Sequence, residues 1–468
     1  MVLDHDDYLR WDATDMARLV RDREVSPDEL AATALDLASR LRRLNAVADL
    51  AAPSPAPTTG PLAGVPFAVK ELLAWPGLPW TMGSRLMAGY PAPEQTPYAA
   101  ALQRAGLNVL CSTTSSEFGL LGSTESALRG PTLNPWREGL SAGGSSGGSA
   151  ALVAAGVVPV AHGNDAGGSL RVPASLNGVL GFLPSAGRTV RTGPEVPGLA
   201  ALVVEHAMSR SVRDSARLLA ATERVGADAV HPPVGLVERA DPGRLRVAVL
   251  TTTLTGHRPE PAVAREVERA AALCAQLGHD VEPAPPVAVD GDALSRAFFT
   301  AAALTMAQVA GMTAPLLGRP PGPDELEPFS LELVDLAGTL GPDALEASER
   351  VLAAGARAYL TLFETADVVL SPTLARVSWP LGHLSPSAGR EVLVRRTEEA
   401  VGYTPIHNPA GCPAISLPLG TADGLPVGVH VAAPPGCERR LLSLAYELEE
   451  AAPWSGRRPD VRWLLAPA

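Results

Sequence analysis

The chain has 468 residues, of which 46% are hydrophobic and only 4% aromatic, and its formal net charge is −12. This apolar content supports a large aliphatic core, and the acidic balance argues against a nucleic-acid surface, which is usually basic. The four cysteines form no Cys-x-x-Cys pair, and neither a zinc-ligand spacing nor a His-Glu-x-x-His motif occurs, so we expect reduced thiols, no metal and no cofactor.

The N-terminus is acidic and has neither the basic start nor the apolar run of a signal peptide. The longest continuous apolar stretch, residues 150–161, is too short to span a bilayer and contains Pro159. We therefore expect a cytoplasmic protein that binds neither membranes nor nucleic acid.

In chain order, residues 12–50 have helical spacing, and the sequence Ser-Pro-Asp-Glu from Ser26 to Glu29 is typical of a capped helix start. A proline-rich connector follows at 53–61, and after it strands alternate with helices, which indicates an α/β fold. Strands are predicted at 65–69, 107–111, 157–161, 245–250, 278–282, 367–372 and 414–418, and helices at 96–105, 150–156 and 262–277.

Two loops rich in glycine and serine flank the apolar segment. The first reads SAGGSSGGSA over 141–150, and the second reads GNDAGGSLRVP over 163–173. Glycine lets backbone N–H groups approach a ligand closely, and a serine hydroxyl can attack or relay a proton. Lys70 ends the strand predicted upstream. A lysine with two serines suffices for nucleophilic catalysis without histidine.

In this order the pieces resemble the amidase signature family. The matching segments are GVPFAVK at 64–70, GGSSGGS at 143–149, DAGGSLR at 165–171, the stretch 403–418 and GLPVG at 424–428. The resemblance implies an α/β fold with one amidase-signature-type domain over 1–468, in which α-helices wrap a mixed central sheet. Its expected regions are an N-terminal helical region at 1–60, a catalytic core at 61–200, a variable substrate side at 201–400, and a C-terminal core motif and helix at 401–468.

The resemblance also implies roles for three residues. Ser169 is the expected nucleophile, Ser145 relays its proton, and Lys70 is the base. A lysine ordinarily titrates at about 10.4 and can act as a base only if burial lowers its pKa toward roughly 7–8. The apolar residues 66–69 favour that burial. The family further implies a cis peptide bond between Gly144 and Ser145.

Backbone N–H groups of the second loop are the expected oxyanion hole, because small side chains let them converge. They belong to Ala166, Gly167, Gly168 and Ser169. Support for the loops is expected from Ser146, Asp165 and Arg171. The residues predicted to bind substrate are Trp80, Phe118, Gly119, Leu120, Tyr403 and His407. Their mostly apolar surroundings favour a small aryl or alkyl amide.

The sequence departs from the family pattern at four positions, which indicates a divergent member. Leu183 stands where a lysine is usual, and Ser185 where a threonine is. Glu71 replaces an aspartate, and Asn164 replaces a small hydroxyl residue. We expect none of these to touch the three catalytic residues.

Several alternatives stay open at this point. Ser145 and Ser146 each centre a Gly-x-Ser-x-Gly match, the nucleophile elbow of α/β-hydrolases, and His407 and His430 are available as its partners. Lys70 and Ser169, however, have no role in such an elbow.

Within the family the first hypothesis is a hydrolase of a small-molecule carboxylic amide. The alternatives are the glutaminase subunit of a tRNA-dependent amidotransferase, a transferase that gives the acyl group to an acceptor other than water, and a binding protein without activity. The oligomeric state is open, with a homodimer as one option.

Overall fold

A computed structural model of the chain describes residues 2–90, 92, 95–190, 198–241 and 243–465. The strands within these residues, β1 to β13 in chain order, are Val47–Leu50, Pro66–Lys70, Asn108–Thr113, Glu125–Ser126, Gly130–Pro131, Val160–Asp165, Leu180–Leu183, Val204–Ser209, Arg246–Val249, Asp280–Pro283, Val368–Pro372, Ala414–Ala422 and Leu425–Ala432. The helices, α1 to α13, are His5–Arg10, Ala13–Arg21, Pro27–Arg40, Pro97–Arg104, Gly147–Ala154, Arg171–Asn177, Val212–Thr222, Pro261–Gln276, Gly291–Leu317, Pro328–Gly338, Ala344–Leu360, Arg390–Val401 and Glu438–Ala451.

Eleven of these described strands form one mixed sheet in the order β1-β3-β2-β6-β8-β7-β12-β13-β11-β9-β10. Strand β2 is parallel to β3 and β6, and β9 is parallel to β10 and β11, whereas the other neighbours are antiparallel. The predicted α/β fold with a mixed central sheet is confirmed.

Strands in the middle of the sheet are covered on both faces. Every residue of β2, β7, β11 and β13 is buried, which is why these strands read as continuous apolar runs rather than alternating ones. Helix α5 is buried along its whole length and packs against α6 and β6. It begins at Gly147, inside the glycine- and serine-rich tract, as predicted.

The helix predicted over 12–50 is wrong in part. The capped start at Ser26 is confirmed, because its side chain and that of Glu29 form a reciprocal capping box. The chain then leaves the helix, turns through Asn45 at φ 52° and continues as β1, which pairs antiparallel with β3. Pairing with a strand some sixty residues away, rather than the local pattern, decides the structure of this segment.

The buried strand predicted at 157–161 begins later and runs further. It starts at Val160 and continues to Asp165. Pro159 has no N–H for a sheet ladder, so strand pairing starts only after it. The four added residues at the C-terminal end carry the strand directly into the second loop.

Helix α9 was not among the predicted elements. By length and composition alone it could cross a membrane, a test that the core helix of a soluble protein also passes. Its buried residues run from Gly291 to Thr313, and it packs against α10 and α11. The first turns of α9 line a cavity that Gly144, Gly167 and Ser169 also line.

Candidate active site

Three elements bring the predicted catalytic residues to one edge of the sheet. Lys70 is the last residue of β2, Ser145 lies just before α5, and Ser169 lies in the loop between β6 and α6. Strands β2 and β6 are parallel neighbours, so their carboxyl ends lie side by side. The peptide bond between Gly144 and Ser145 is cis, as the resemblance implies.

Lys70 is fully buried and its ammonium group contacts two side chains. Nζ donates to Ser145 Oγ at 2.6 Å and to Asn164 Oδ1 at 2.6 Å. The backbone N–H of Lys70 donates to Nδ1 of His162 at 3.2 Å, and Nε2 of His162 lies 2.7 Å from a carboxylate oxygen of Glu205. The lysine is therefore held at both its backbone and its side chain.

Burial lowers the pKa of Lys70 to about 7, although the nearby carboxylates of Glu205, Asp165 and Glu71 act in the opposite direction. Removing the charge from water disfavours the ammonium form. Near neutral pH a large fraction of this lysine is a free amine, which can accept the Ser145 proton along the existing contact.

The contact with Asn164 overturns the expectation that no departure from the family pattern touches the catalytic residues. Asn164 replaces a small hydroxyl residue, and its side-chain carbonyl oxygen accepts a hydrogen bond from Nζ of Lys70. The parallel register of β2 and β6, which pairs Ala68 with Ala161, carries the ends of both strands to the same level. The contact could therefore be predicted from the register of the two strands, but it cannot be predicted from the family motifs alone.

Ser169 is half-buried and lines two adjoining cavities. The larger cavity, of about 570 Å³, is also lined by Ser145 and Asn164. The smaller cavity, of about 140 Å³, extends from Ser169 toward α9 and α12. Within the described residues the Ser169 hydroxyl makes no hydrogen bond, so the predicted relay requires it to turn toward Ser145 in the larger cavity.

A buried ion pair fixes the second loop. Asp165 accepts hydrogen bonds from the backbone N–H groups of Gly168, at 2.7 Å, and Leu170, at 3.1 Å. Its carboxylate also binds Nε and Nη2 of Arg171, at 3.0 and 2.9 Å. Burial alone would raise the pKa of Asp165, but the guanidinium and the two N–H donors lower it below its ordinary value. Asp165 and Arg171, both expected to support this loop, thus do so through contact with each other.

Residues from the C-terminal motif complete this brace. Asn408 donates from Nδ2 to the carbonyl of Asp165 at 2.8 Å and accepts from Arg171 at 3.0 Å. The hydroxyl of Thr404 donates to the carbonyl of Gly167 at 2.7 Å. Both residues lie in the stretch 403–418, which matches the family, but the sequence predicts no role for either of them.

The predicted oxyanion hole needs one correction. The N–H of Gly168 is donated to Asp165, because the loop turns it toward the carboxylate, so it does not face the cavities. The backbone N–H groups of Ala166, Gly167 and Ser169 have no partner among the described residues, and all three residues line the smaller cavity. Ser146 links the two loops, because its hydroxyl donates a hydrogen bond to the backbone carbonyl of Asn164 at 3.4 Å.

Four of the six predicted substrate contacts line the cavities. Trp80, Phe118, Gly119 and Leu120 all border the larger cavity, and the indole of Trp80 is anchored by a 2.8 Å bond to the carbonyl of Leu72.

The other two predicted contacts, Tyr403 and His407, are wrong. Tyr403 is buried with its hydroxyl on the carbonyl of Thr251. His407 is enclosed between Arg171 and Tyr359, away from both cavities. Both side chains are held by internal hydrogen bonds, and residues next to them in the chain line the smaller cavity instead.

The nucleophile-elbow interpretation has no support in this geometry. The partner of Ser145 Oγ is a lysine, and that of Ser146 Oγ is a backbone carbonyl. His407 and His430 lie instead against Arg171, and burial lowers the pKa of His407 to about 3. In the described ranges, no group of three or more histidine, cysteine or acidic side chains is arranged to hold a metal ion.

Comparisons with known proteins show which family the chain resembles. The family model described as Amidase matches residues 22–442. The AmiC protein of Mycobacterium tuberculosis is 37% identical over 459 residues, which cover 95% of each chain. The 6-aminohexanoate-cyclic-dimer hydrolase of Paenarthrobacter ureafaciens is 36% identical over 479 residues, which cover 97% of each chain.

Solved structures show the same fold. A structure of 6-aminohexanoate cyclic dimer hydrolase matches with a TM-score of 0.85 at 33% identity, covering 97% of this chain and 99% of that chain. A bacterial aryl acylamidase of the amidase signature enzymes matches with a TM-score of 0.83 at 24% identity, covering 96% of this chain and 99% of that chain, and this likeness concerns the fold alone.

Proposed function

The chain belongs to the amidase signature family and is a hydrolase of amide C–N bonds, and from that premise we propose that it cleaves a small carboxylic amide through an acyl-enzyme on Ser169. The observation that carries this proposal is the 2.6 Å contact between Ser145 Oγ and Nζ of Lys70, whose pKa burial lowers to about 7. A buried neutral amine bonded to a serine hydroxyl is a base in place to act.

In the first half-reaction, Lys70 takes the proton of Ser145 while Ser145 takes that of Ser169. The freed Oγ of Ser169 bonds to the carbonyl carbon, and the π-electron pair moves onto the carbonyl oxygen. The backbone N–H groups of Ala166, Gly167 and Ser169 are the proposed donors to this developing charge, and one such donor is typically worth about 100- to 1000-fold in rate.

Collapse of the tetrahedral intermediate breaks the C–N bond. The proton held by Lys70 returns through Ser145 to the leaving nitrogen, which departs as a neutral amine. Water then attacks the ester on Ser169 and gives its proton through Ser145 to Lys70. The bond between the acyl carbon and Oγ of Ser169 breaks, the relay returns the proton to this Oγ, and the carboxylic acid leaves. No co-reactant other than water is needed.

The position of the relay orients the substrate. Ser145 lines the larger cavity and is absent from the wall of the smaller one. Because the leaving nitrogen receives its proton from Ser145, the amine portion occupies the larger cavity. The acyl portion therefore enters the smaller cavity, whose walls are largely aliphatic and aromatic.

These walls favour an aryl or alkyl amide. The relative from Paenarthrobacter ureafaciens acts, by its name, on the cyclic dimer of 6-aminohexanoate, which is an aliphatic amide. We therefore include that compound in the set of test substrates, together with anilides of straight-chain acids.

The test is to assay purified protein with these amides and with matched esters, and to measure release of both amine and acid. In parallel, a fluorophosphonate probe is mapped by mass spectrometry. We expect turnover of at least one amide and a label on Ser169. A label on Ser145 or Ser146, or a protein that neither turns over any substrate nor takes the label, contradicts the proposal.

A further inference from the structure

The wall of the smaller cavity includes the charged residue Glu398. Its walls are mainly apolar, and they include Leu254, Leu294, Phe298, Phe299, Leu352 and Ile406. Of the described residues that line it, Glu398 alone carries a charge. A carboxylate in such a setting is costly unless a cation or hydrogen-bond donors meet it.

Glu398 has hydrogen-bond support but no cation. It is half-buried on α12, and the hydroxyl of Ser295 on α9 donates to its Oε1. In the part of the chain that the structure describes, no lysine, arginine or histidine pairs with it. The next residue differs: Glu399 lies 4.0 Å from the guanidinium groups of both Arg376 and Arg395.

The carboxylate lies close to the nucleophile loop. Phe298 reaches that loop, since its ring would lie 2.9 Å from a Cβ placed on Gly167. Ser295 lies three residues before Phe298 on the same helix, or ~4.5 Å along its axis. Glu398, bonded to Ser295, lines the same cavity as Ser169. An acyl chain that enters this cavity from Ser169 can therefore approach the carboxylate.

We propose that Glu398 binds a terminal ammonium group on the acyl chain of the substrate, so that the enzyme prefers amides of aliphatic acids that end in an amine. This rests on the proposed function, which places the acyl portion in the smaller cavity. In this arrangement the apolar walls contact the methylene groups, and the Glu398 carboxylate supplies the counter-charge. An ionised acceptor binds an ammonium donor more strongly than a neutral one does.

The experiment compares two para-nitroanilides whose acyl groups have nearly the same shape, 6-aminohexanoyl and heptanoyl. The measured quantity is the ratio of their kcat/KM values for the wild type, for Glu398→Gln and for Glu399→Gln. Glutamine keeps an acceptor for Ser295 and removes only the charge. Glu399→Gln removes a neighbouring carboxylate that lies outside the cavity, and it serves as the matched control.

We expect the wild type to favour the ammonium substrate, Glu398→Gln to lower the ratio about tenfold, and Glu399→Gln to keep it within twofold. A wild type that prefers the heptanoyl substrate, or a Glu398→Gln variant that keeps the wild-type ratio, overturns the inference. Failure of the proposed function looks different, because neither anilide would then be hydrolysed and Ser169 would not take the fluorophosphonate label.

Discussion

The two serine-bearing loops are held in place by different physical means. The relay loop, residues 141–149, is held by close backbone packing. A Cβ on Gly148, for example, would come within 2.7 Å of the backbone nitrogen of Thr114 and 2.8 Å of the carbonyl oxygen of Ala46. The nucleophile loop, residues 165–171, is held by the buried ion pair of Asp165 and Arg171.

Because of this difference, we expect the two loops to tolerate different kinds of substitution. In the relay loop a small side chain is itself the requirement, because neighbouring backbone fills the space where Cβ would lie. In the nucleophile loop the requirement is a set of polar partners, and Thr404 and Asn408 come from more than 200 residues further along the chain. Added volume at Gly148 therefore tests the first loop, and loss of the Asn408 hydrogen bonds tests the second.

The largest expected effect separates the two serines themselves. Ser169→Ala removes the atom that forms the covalent bond, so we expect amide turnover to fall by about 10⁴-fold or more. Ser145→Ala removes only the relay, which water can partly replace, so a measurable residual rate should remain. The measurement is steady-state kcat for one amide, with fluorophosphonate labelling as an independent readout. Equal losses in the two variants would contradict the division of roles.

The second effect breaks the brace of the nucleophile loop. Asn408→Ala removes the donor to the Asp165 carbonyl and the acceptor for Arg171, which leaves buried polar groups unpaired. Because a small displacement of a reacting group can cost about 100-fold, we expect kcat to fall by that order while KM changes little. Gln276→Ala, which truncates an exposed amide at the end of α8, is the control. A kcat within twofold of the wild type would show that the brace does not position Ser169.

The third effect alters the environment of the base. Asn164→Asp places a carboxylate on Nζ of Lys70, and an opposite charge raises the pKa of a lysine by about 1–3 units. The rise of kcat/KM with pH should therefore move to more alkaline pH, with about tenfold lower amide turnover at neutral pH. Activity should recover at high pH, which a purely structural lesion would not produce. If the dependence of kcat/KM on pH did not change, residue 164 would have no influence on the pKa of Lys70.

The smallest effect concerns the packing of the relay loop. Gly148→Ala forces a methyl group against the backbone of Thr114 and Ala46, and overpacking of this kind typically costs about 1–3 kcal/mol of unfolding free energy. Gly311→Ala is the matched control, since nothing lies within 4 Å of its Cβ on an exposed position of α9. Alanine there should be neutral or stabilising by up to about 1 kcal/mol. Denaturant unfolding that gives equal midpoints for the two variants would contradict the packing argument.

The sequence predicted the local parts of this site well. The capping box of Ser26, the α/β alternation and the start of α5 inside the relay loop follow from short-range patterns. The burial of Lys70 follows from the apolar residues before it. These features depend on neighbours in the chain, which a single sequence displays.

Features that depend on distant partners were missed or wrong. The local pattern predicts helix where β1 lies, because the pairing of β1 with β3 leaves no local signal. Tyr403 and His407 were placed in the cavity, although internal hydrogen bonds turn them away from it. The role of Asn164 depends on the register of β2 against β6, and the contribution of α9 depends on tertiary packing alone.

The central claim is that a neutral Lys70 drives the chemistry through Ser145. It is tested most directly by kcat/KM against pH for the wild type, Lys70→Ala and Lys70→Arg, on a matched anilide and phenyl ester. Because the base must be neutral and its pKa is about 7, wild-type activity on the anilide should rise with pH through that value.

In the same measurement both variants should lose this rise and slow the anilide more than the ester, since only the amine leaving group needs the returned proton. Arginine should give no rescue, because a guanidinium stays protonated. A Lys70→Arg variant with near-normal anilide turnover would contradict the account.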